Sequence, residues 1–118
     1  MAVNQIDQID FISLQKGTGL IELTIADHLP WDDNHLLVLQ KKFNTYLEYI
    51  KSGQIENQFS DSSSRKKLIS VEFLHAPSTT AMEFLTRVGS ILEEESISLR
   101  YRQSHFNSPT DGRWIDLK

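Results

Sequence analysis

The stretch "GLIELTIADHLPWDDNHLLVLQKKFNTYLEYIKSG", residues 19–53, changes its hydrophobic period part-way along, and that change decides the fold. In its first part Ile21, Leu23 and Ile25 alternate with Glu22 and Thr24, the two-residue repeat of a strand with one buried face. Further on, Leu36, Leu39, Phe43, Tyr46, Leu47 and Ile50 recur at steps of three and four, which places them on one helical stripe. Gly53 after "IKS" is a natural helix stop. Between the two periods lies "LPWDDN". Asp32, Asp33 and Asn34 offer side-chain oxygens to the unpaired amides of a helix start, and the negative charge of the two aspartates suits the positive end of the dipole. Trp31, following Pro30, is expected to pin the chain against the core and to bind its indole nitrogen at the edge.

Working outward, "IDFISLQ" (9–15), "KGTG" and the strand at 20–27 read as a hairpin with a glycine-containing turn. A polar, serine-rich connection, about 56–67, follows the helix, with Ile55 and Phe59 able to dock part of it. "LISVEFLHA" (68–76) is a third strand, with Ile69, Val71 and Phe73 opposed to Ser70 and Glu72. "PSTTAMEFLTRVGSILEEES" is a second helix, with Thr80 and Glu83 spaced as a capping box and Ala81, Leu85, Val88 and Leu92 on one stripe. Gly89 inside that helix costs roughly 1 kcal/mol against alanine, offset where it permits close approach to the sheet. "ISLRYRQSHF" (97–106) is the fourth strand, and 107–118 is a C-terminal tail. The order ββαβαβ, with right-handed crossovers moving one way, predicts an α/β two-layer sandwich: a four-stranded mixed sheet with both helices on one face. The whole chain, 1–118, is expected to be a single domain.

The 118 residues carry a formal charge of −4, which argues against affinity for a nucleic-acid backbone. The dense basic cluster Arg65, Lys66, Lys67 is short, sits beside a serine run and reads as a solvated loop. The absence of cysteine excludes disulfides, thiol catalysis and Cys-ligated zinc. "MAVNQIDQIDF" has neither the basic start nor the apolar run of a signal peptide, and no stretch approaches a membrane span, so the expected location is the cytoplasm.

"IDQIDFISL", "GLIELTIADHLPW" and "HLLVLQKKFNTYLEYIKSGQI" together resemble a family of small, functionally uncharacterised bacterial proteins. The paired strands, the turn carrying Asp27, Leu29 and Trp31, and the helix from His35 to Gly53 carry the resemblance, which covers the first half of the chain. It implies a bacterial origin and brings no catalytic residues with it.

Two places are candidates for function. If the later strands are parallel, His28, His75 and His105 fall at or just past their C-terminal ends, with His35 in the first turn of the helix leaving the same edge. Open α/β sheets bind ligands at that edge. With Asp27, Asp32 or Asp33 these imidazoles would suit zinc or another divalent metal, or acid–base chemistry. The alternative is that Asp32 and Asp33 cap the helix and the histidines pack at strand ends, since no H-x-x-x-H spacing occurs within one element. No cofactor is expected, and no phosphate loop or nucleophile elbow is present. The second candidate is an interface formed by Arg100 and Arg102 on the helix-free sheet face with Trp114, Ile115 and Leu117 in the tail. The tail residues are too apolar for an idle terminus, and fold back on the domain or cover a neighbour. The resulting expectation is a binding or interaction protein, in the manner of an immunity protein, with a homo-oligomer or protein partner. The alternative is a metal-binding protein or enzyme using the histidine edge.

Overall fold

The computed structural model describes residues 9–15, 17–32, 34–62 and 65–103, together with the backbone of 115–117. The elements are β1 (Phe11–Leu14), β2 (Ile21–Asp27), α1 (His35–Lys51), a 3-10 turn (Gln54–Asn57), β3 (Lys67–Phe73), α2 (Thr79–Glu94), β4 (Ile97–Gln103) and β5 (Ile115–Leu117). The sheet order is β1-β2-β3-β4-β5. β2, β3 and β4 are parallel, and β1 and β5 join them antiparallel at either edge. The expected α/β order of strands and helices is therefore present. The short β5 extends the sheet past β4, with Leu99 opposite Leu117 and Tyr101 opposite Ile115.

Each crossover, β2-α1-β3 and β3-α2-β4, advances one strand in the same direction, so right-handed connections put both helices on one face. Ile21, Leu23 and Ile25 of β2, Ile69, Val71 and Phe73 of β3, and Ile97, Leu99 and Tyr101 of β4 all point to that face. They form one cluster with Leu39, Phe43 and Tyr46 of α1 and Leu85 and Leu92 of α2. At about 25 cal/mol per Å² of apolar area removed from water, burial of this kind is the main source of stability. Among the described residues no helix is long and apolar enough to cross a membrane.

Several boundaries differ from those expected, three of them for a visible physical reason. The third strand ends at Phe73 rather than Ala76, because the Leu74 amide closes the ladder on the Asp27 carbonyl at 2.8 Å and the chain then turns toward α2. The first strand begins at Phe11 rather than Ile9, because before it the Asp10 and Tyr46 side chains bond the β2 backbone at Ala26 and Thr24. The cap of α2 is Ser78 rather than the expected Thr80. Ser78 has extended backbone, and its Oγ accepts from the Ala81 amide at 3.1 Å. Ser78→Ala is therefore expected to cost about 1 kcal/mol in urea unfolding, and Thr80→Ala much less. Equal costs would contradict this assignment.

At the other helix, the Asn34 side chain makes no capping bond. Asp32 acts one step earlier: its Oδ1 accepts from the Asn34 amide at 3.0 Å and its carbonyl from the His35 amide at 3.3 Å. Asp33 lies outside the described residues. α1 stops as read, with Gly53 in the left-handed region at φ 86°, where a side chain would be strained. The 3-10 turn that follows buries Ile55 in the core, and Phe59 packs against it.

Candidate functional site

Asp27 ends β2 and His35 begins α1, and the turn between them folds back so that these two side chains meet. His35 Nε2 lies 2.5 Å from Asp27 Oδ2, and both residues are buried. The other ring nitrogen, Nδ1, donates to the Pro30 carbonyl at 3.0 Å. A carbonyl can only accept, so Nδ1 carries a hydrogen and the short Nε2 contact needs one proton shared with the carboxyl. The second oxygen, Oδ1, accepts from the Leu29 amide at 3.1 Å. Burial pushes the Asp27 carboxyl above its usual range, outweighing the hydrogen bond and charge of His35 and the Leu29 amide, which pull it down.

Trp31 lids this pair. Its indole stacks on His35 with ring centroids 3.7 Å apart, touches Phe73, and donates from Nε1 to the His75 carbonyl at 3.2 Å. The turn after β2 is thereby latched to the turn after β3, the anchoring expected of Trp31. Chemically the arrangement is closed, because every nitrogen of His35 and both Asp27 oxygens have partners within the chain.

Among the described residues, the other histidine-edge candidates do not join it. His28, His75 and Asp32 are exposed, and His75 contributes its backbone carbonyl to the cluster. His105 lies outside the described residues, as does Trp114. Among the described residues no group of three or more His, Asp or Glu could hold a metal ion.

A second buried polar cluster was not anticipated. Lys42 Nζ donates to Asp10 Oδ1 at 2.8 Å, with both side chains fully buried. Asp10 Oδ2 accepts from the Ala26 amide at 3.1 Å. The Tyr46 hydroxyl donates to the Thr24 carbonyl at 2.6 Å and accepts from the Asp10 amide at 2.9 Å. Burial pushes the Tyr46 phenol far above its usual range. Here is the reason β1 starts at Phe11: past that point, side chains of Asp10 and Tyr46 satisfy the β2 edge. One signal for it was present in the sequence. Lys42 sits three after Leu39 and four before Tyr46, so a charge stands on the apolar stripe and requires a buried counter-charge.

On the sheet face away from the helices, Arg100 and Arg102 lie flat against neighbouring strands. Arg100 donates from Nε to Ser70 Oγ at 2.9 Å and from its terminal nitrogen to Glu22 Oε2 at 2.6 Å. Ser70 Oγ in turn donates to Glu22 Oε2 at 2.5 Å, and Arg102 pairs with Glu72. Burial draws Glu22 upward, but hydrogen bonds from Ser70, Arg100 and Gln15 and the charge of Arg100 outweigh it and hold the carboxyl below its usual range. This is cross-strand pairing along the register Ser70 to Arg100 and Glu72 to Arg102. Ile115 and Leu117, the tail candidates, lie on β5, whose backbone pairs with β4 of the same chain.

The outward helix face is different in kind. A groove of about 350 Å³ runs between α1 and α2, walled by Phe43 and Leu47 on one side and Phe84, Val88 and Ile91 on the other. Ile91 is 54% exposed, and Leu37, further along α1, is 51% exposed. Arg87 lines the groove and forms no ion pair among the described residues.

A family model spans residues 1–105, and so takes in β1 through β4 and both helices. The chain belongs to a family of unknown function, DUF6572. The match to DUF6572 extends well past the first half on which the resemblance was read, and it includes the Asp27–His35 and Asp10–Lys42 pairs. β5 lies outside the matched span. No curated protein and no solved structure matches the chain.

Proposed function

We propose that this protein is a binding module without catalytic activity, and that it receives a partner protein in the groove between α1 and α2. The supporting observation is the groove itself: half-buried Leu47, Phe84 and Val88 with exposed Ile91 make a continuous apolar strip, rimmed by Arg87. Apolar strips of this kind on a two-helix surface suit the apolar face of a third helix. Arg87, which forms no ion pair among the described residues, adds chemistry to that shape, favouring a helix that carries a carboxylate beside its apolar stripe. The closed partnering of Asp27, His35, Asp10 and Lys42 supports the non-catalytic part of the reading, since none has a free atom to offer a substrate. A stoichiometric role in a bacterial cytoplasm, neutralising another protein as an immunity protein does, is the form of binding that we infer.

The test begins with capture from the native host by the parent and by Ile91→Asp and Arg87→Glu, followed by calorimetric titration of the purified partner. Both variants should keep the parent's thermal unfolding midpoint, because both side chains are exposed. Ile91→Asp is expected to weaken binding at least about tenfold, equivalent to about 1.4 kcal/mol. A folded Ile91→Asp that binds with parental affinity would move the site off this groove.

A further inference from the structure

We infer that β1 is a self-association edge, at which a second copy of this chain pairs antiparallel and continues the sheet. The observations that carry this lie at the opposite side of the sheet from β5 and do not involve the helix groove. β1 is hydrogen-bonded to β2 on one side, and among the described residues no strand pairs its other side. An unpaired strand edge is a template for another chain, and edges are ordinarily blunted by shortness of the strand or by lysine, proline, a bulge or an inward-pointing charge. β1 is short, but its four residues, "FISL", contain no lysine, proline or charge. Phe11 and Leu14 are 54% and 42% exposed, so half of this short strand presents large apolar side chains to solvent.

β1 is also held ready. Just before it, Asp10 is fixed by Lys42, by the Ala26 amide and by the Tyr46 hydroxyl. Just after it, the Gln15 amide bonds the Leu20 carbonyl at 2.8 Å and the Gln15 side chain reaches Glu22. A strand anchored at both ends loses little further freedom on pairing.

The occupant follows from symmetry and charge. A protein of net charge −4 repels its own copies in general, but two β1 strands bring no charge of their own to the contact. In a two-fold pairing, directly opposed residues must share a face, which requires partners whose numbers sum to an even value. Centring the axis on Ser13 sets Ile12 opposite Leu14 of the second copy, twice over, and Phe11 opposite Gln15. Ile12 and Leu14 both point to the helix-bearing face, as their partners Leu23 and Ile21 show, so the exposed Leu14 becomes covered. A cavity of about 380 Å³ lined by Ile9, just before β1, and by Thr45 and Tyr49 of α1 lies along the same margin and gives side chains of the second copy room to enter.

The full chain should sediment at twice its 13.6 kDa mass as concentration rises from micromolar toward millimolar. Leu14→Lys should raise the dissociation constant at least tenfold while keeping the parent's circular dichroism. The chain has no cysteine, so Ser13→Cys introduces a single thiol at the proposed axis. Opposed Cα atoms there would be about 4.5–5.5 Å apart, within disulfide reach, and oxidation should convert the variant to a covalent dimer in high yield. A monomer across the whole range overturns the inference. So does a dimer that folded Leu14→Lys leaves intact, or one that Ser13→Cys fails to link; should Leu14→Lys not fold, the cross-link decides alone.

Discussion

Lys42→Met is expected to destabilise the protein by about 3–5 kcal/mol, the usual cost of leaving one buried charge without its counter-ion. Methionine reproduces most of the aliphatic stem between Leu39 and Tyr46, so the loss reflects the Asp10 carboxylate, which is fully buried and would keep only the Ala26 amide among its described partners. Adding Asp10→Asn should recover much of the loss. The asparagine carbonyl can still accept from Ala26, and no uncompensated charge remains. Urea unfolding of both single variants and the double variant closes a cycle whose coupling measures the pair directly. A Lys42→Met variant within a few tenths of a kcal/mol of the parent would mean that the ammonium reaches water in solution.

His35→Ala is expected to cost about 3–5 kcal/mol as well, for a mixture of reasons: it empties the space under Trp31, and it strips Asp27 of its shortest partner. Asp27→Asn should be much milder, within about 1 kcal/mol near neutral pH. Its amide nitrogen can donate to His35 Nε2 while Nδ1 keeps its bond to Pro30. The two variants also differ with pH. The Asp27 carboxyl is raised in the folded state by burial, so its proton stabilises the fold below the ordinary carboxyl pKa of about 4, and that contribution is lost as pH rises through the raised folded value. Glu22 has the opposite sign: its lowered folded value gives stability above the ordinary pKa, lost as pH falls. Removing Asp27 alone therefore isolates one slope. Relative to the parent, Asp27→Asn should gain stability as pH rises from about 4 toward neutrality. A difference independent of pH across that interval would show that the folded protein holds this carboxyl no differently from the unfolded chain.

For the candidate site, local reading and structure part at identifiable residues. Asp27, His35 and Trp31 were singled out within one turn, and the structure brings them together because eight residues of chain are enough to fold a helix start back on a strand end. The wider histidine set required His28 and His75 to point inward. Both are exposed, just past the ends of β2 and β3. Arg100 and Arg102 were placed on the correct sheet face by their alternation with Leu99 and Tyr101, and the parallel register then supplied Ser70 and Glu72 as neighbours.

What the sequence by itself determined was the first four strands, the two helices and their buried faces, whereas the short β5 was read as tail. Periods of two and of three to four are properties of a chain segment, set by how successive Cβ atoms project, and they need no knowledge of neighbours. Handedness of the crossovers then placed both helices on one side of the sheet. Only the tertiary structure decided which polar groups close one another. Lys42 meets Asp10 across 32 residues, and Tyr46 reaches Thr24 across 22. Those partnerships depend on where β1 leaves β2 and on how far α1 stands from the sheet, distances that no local pattern encodes.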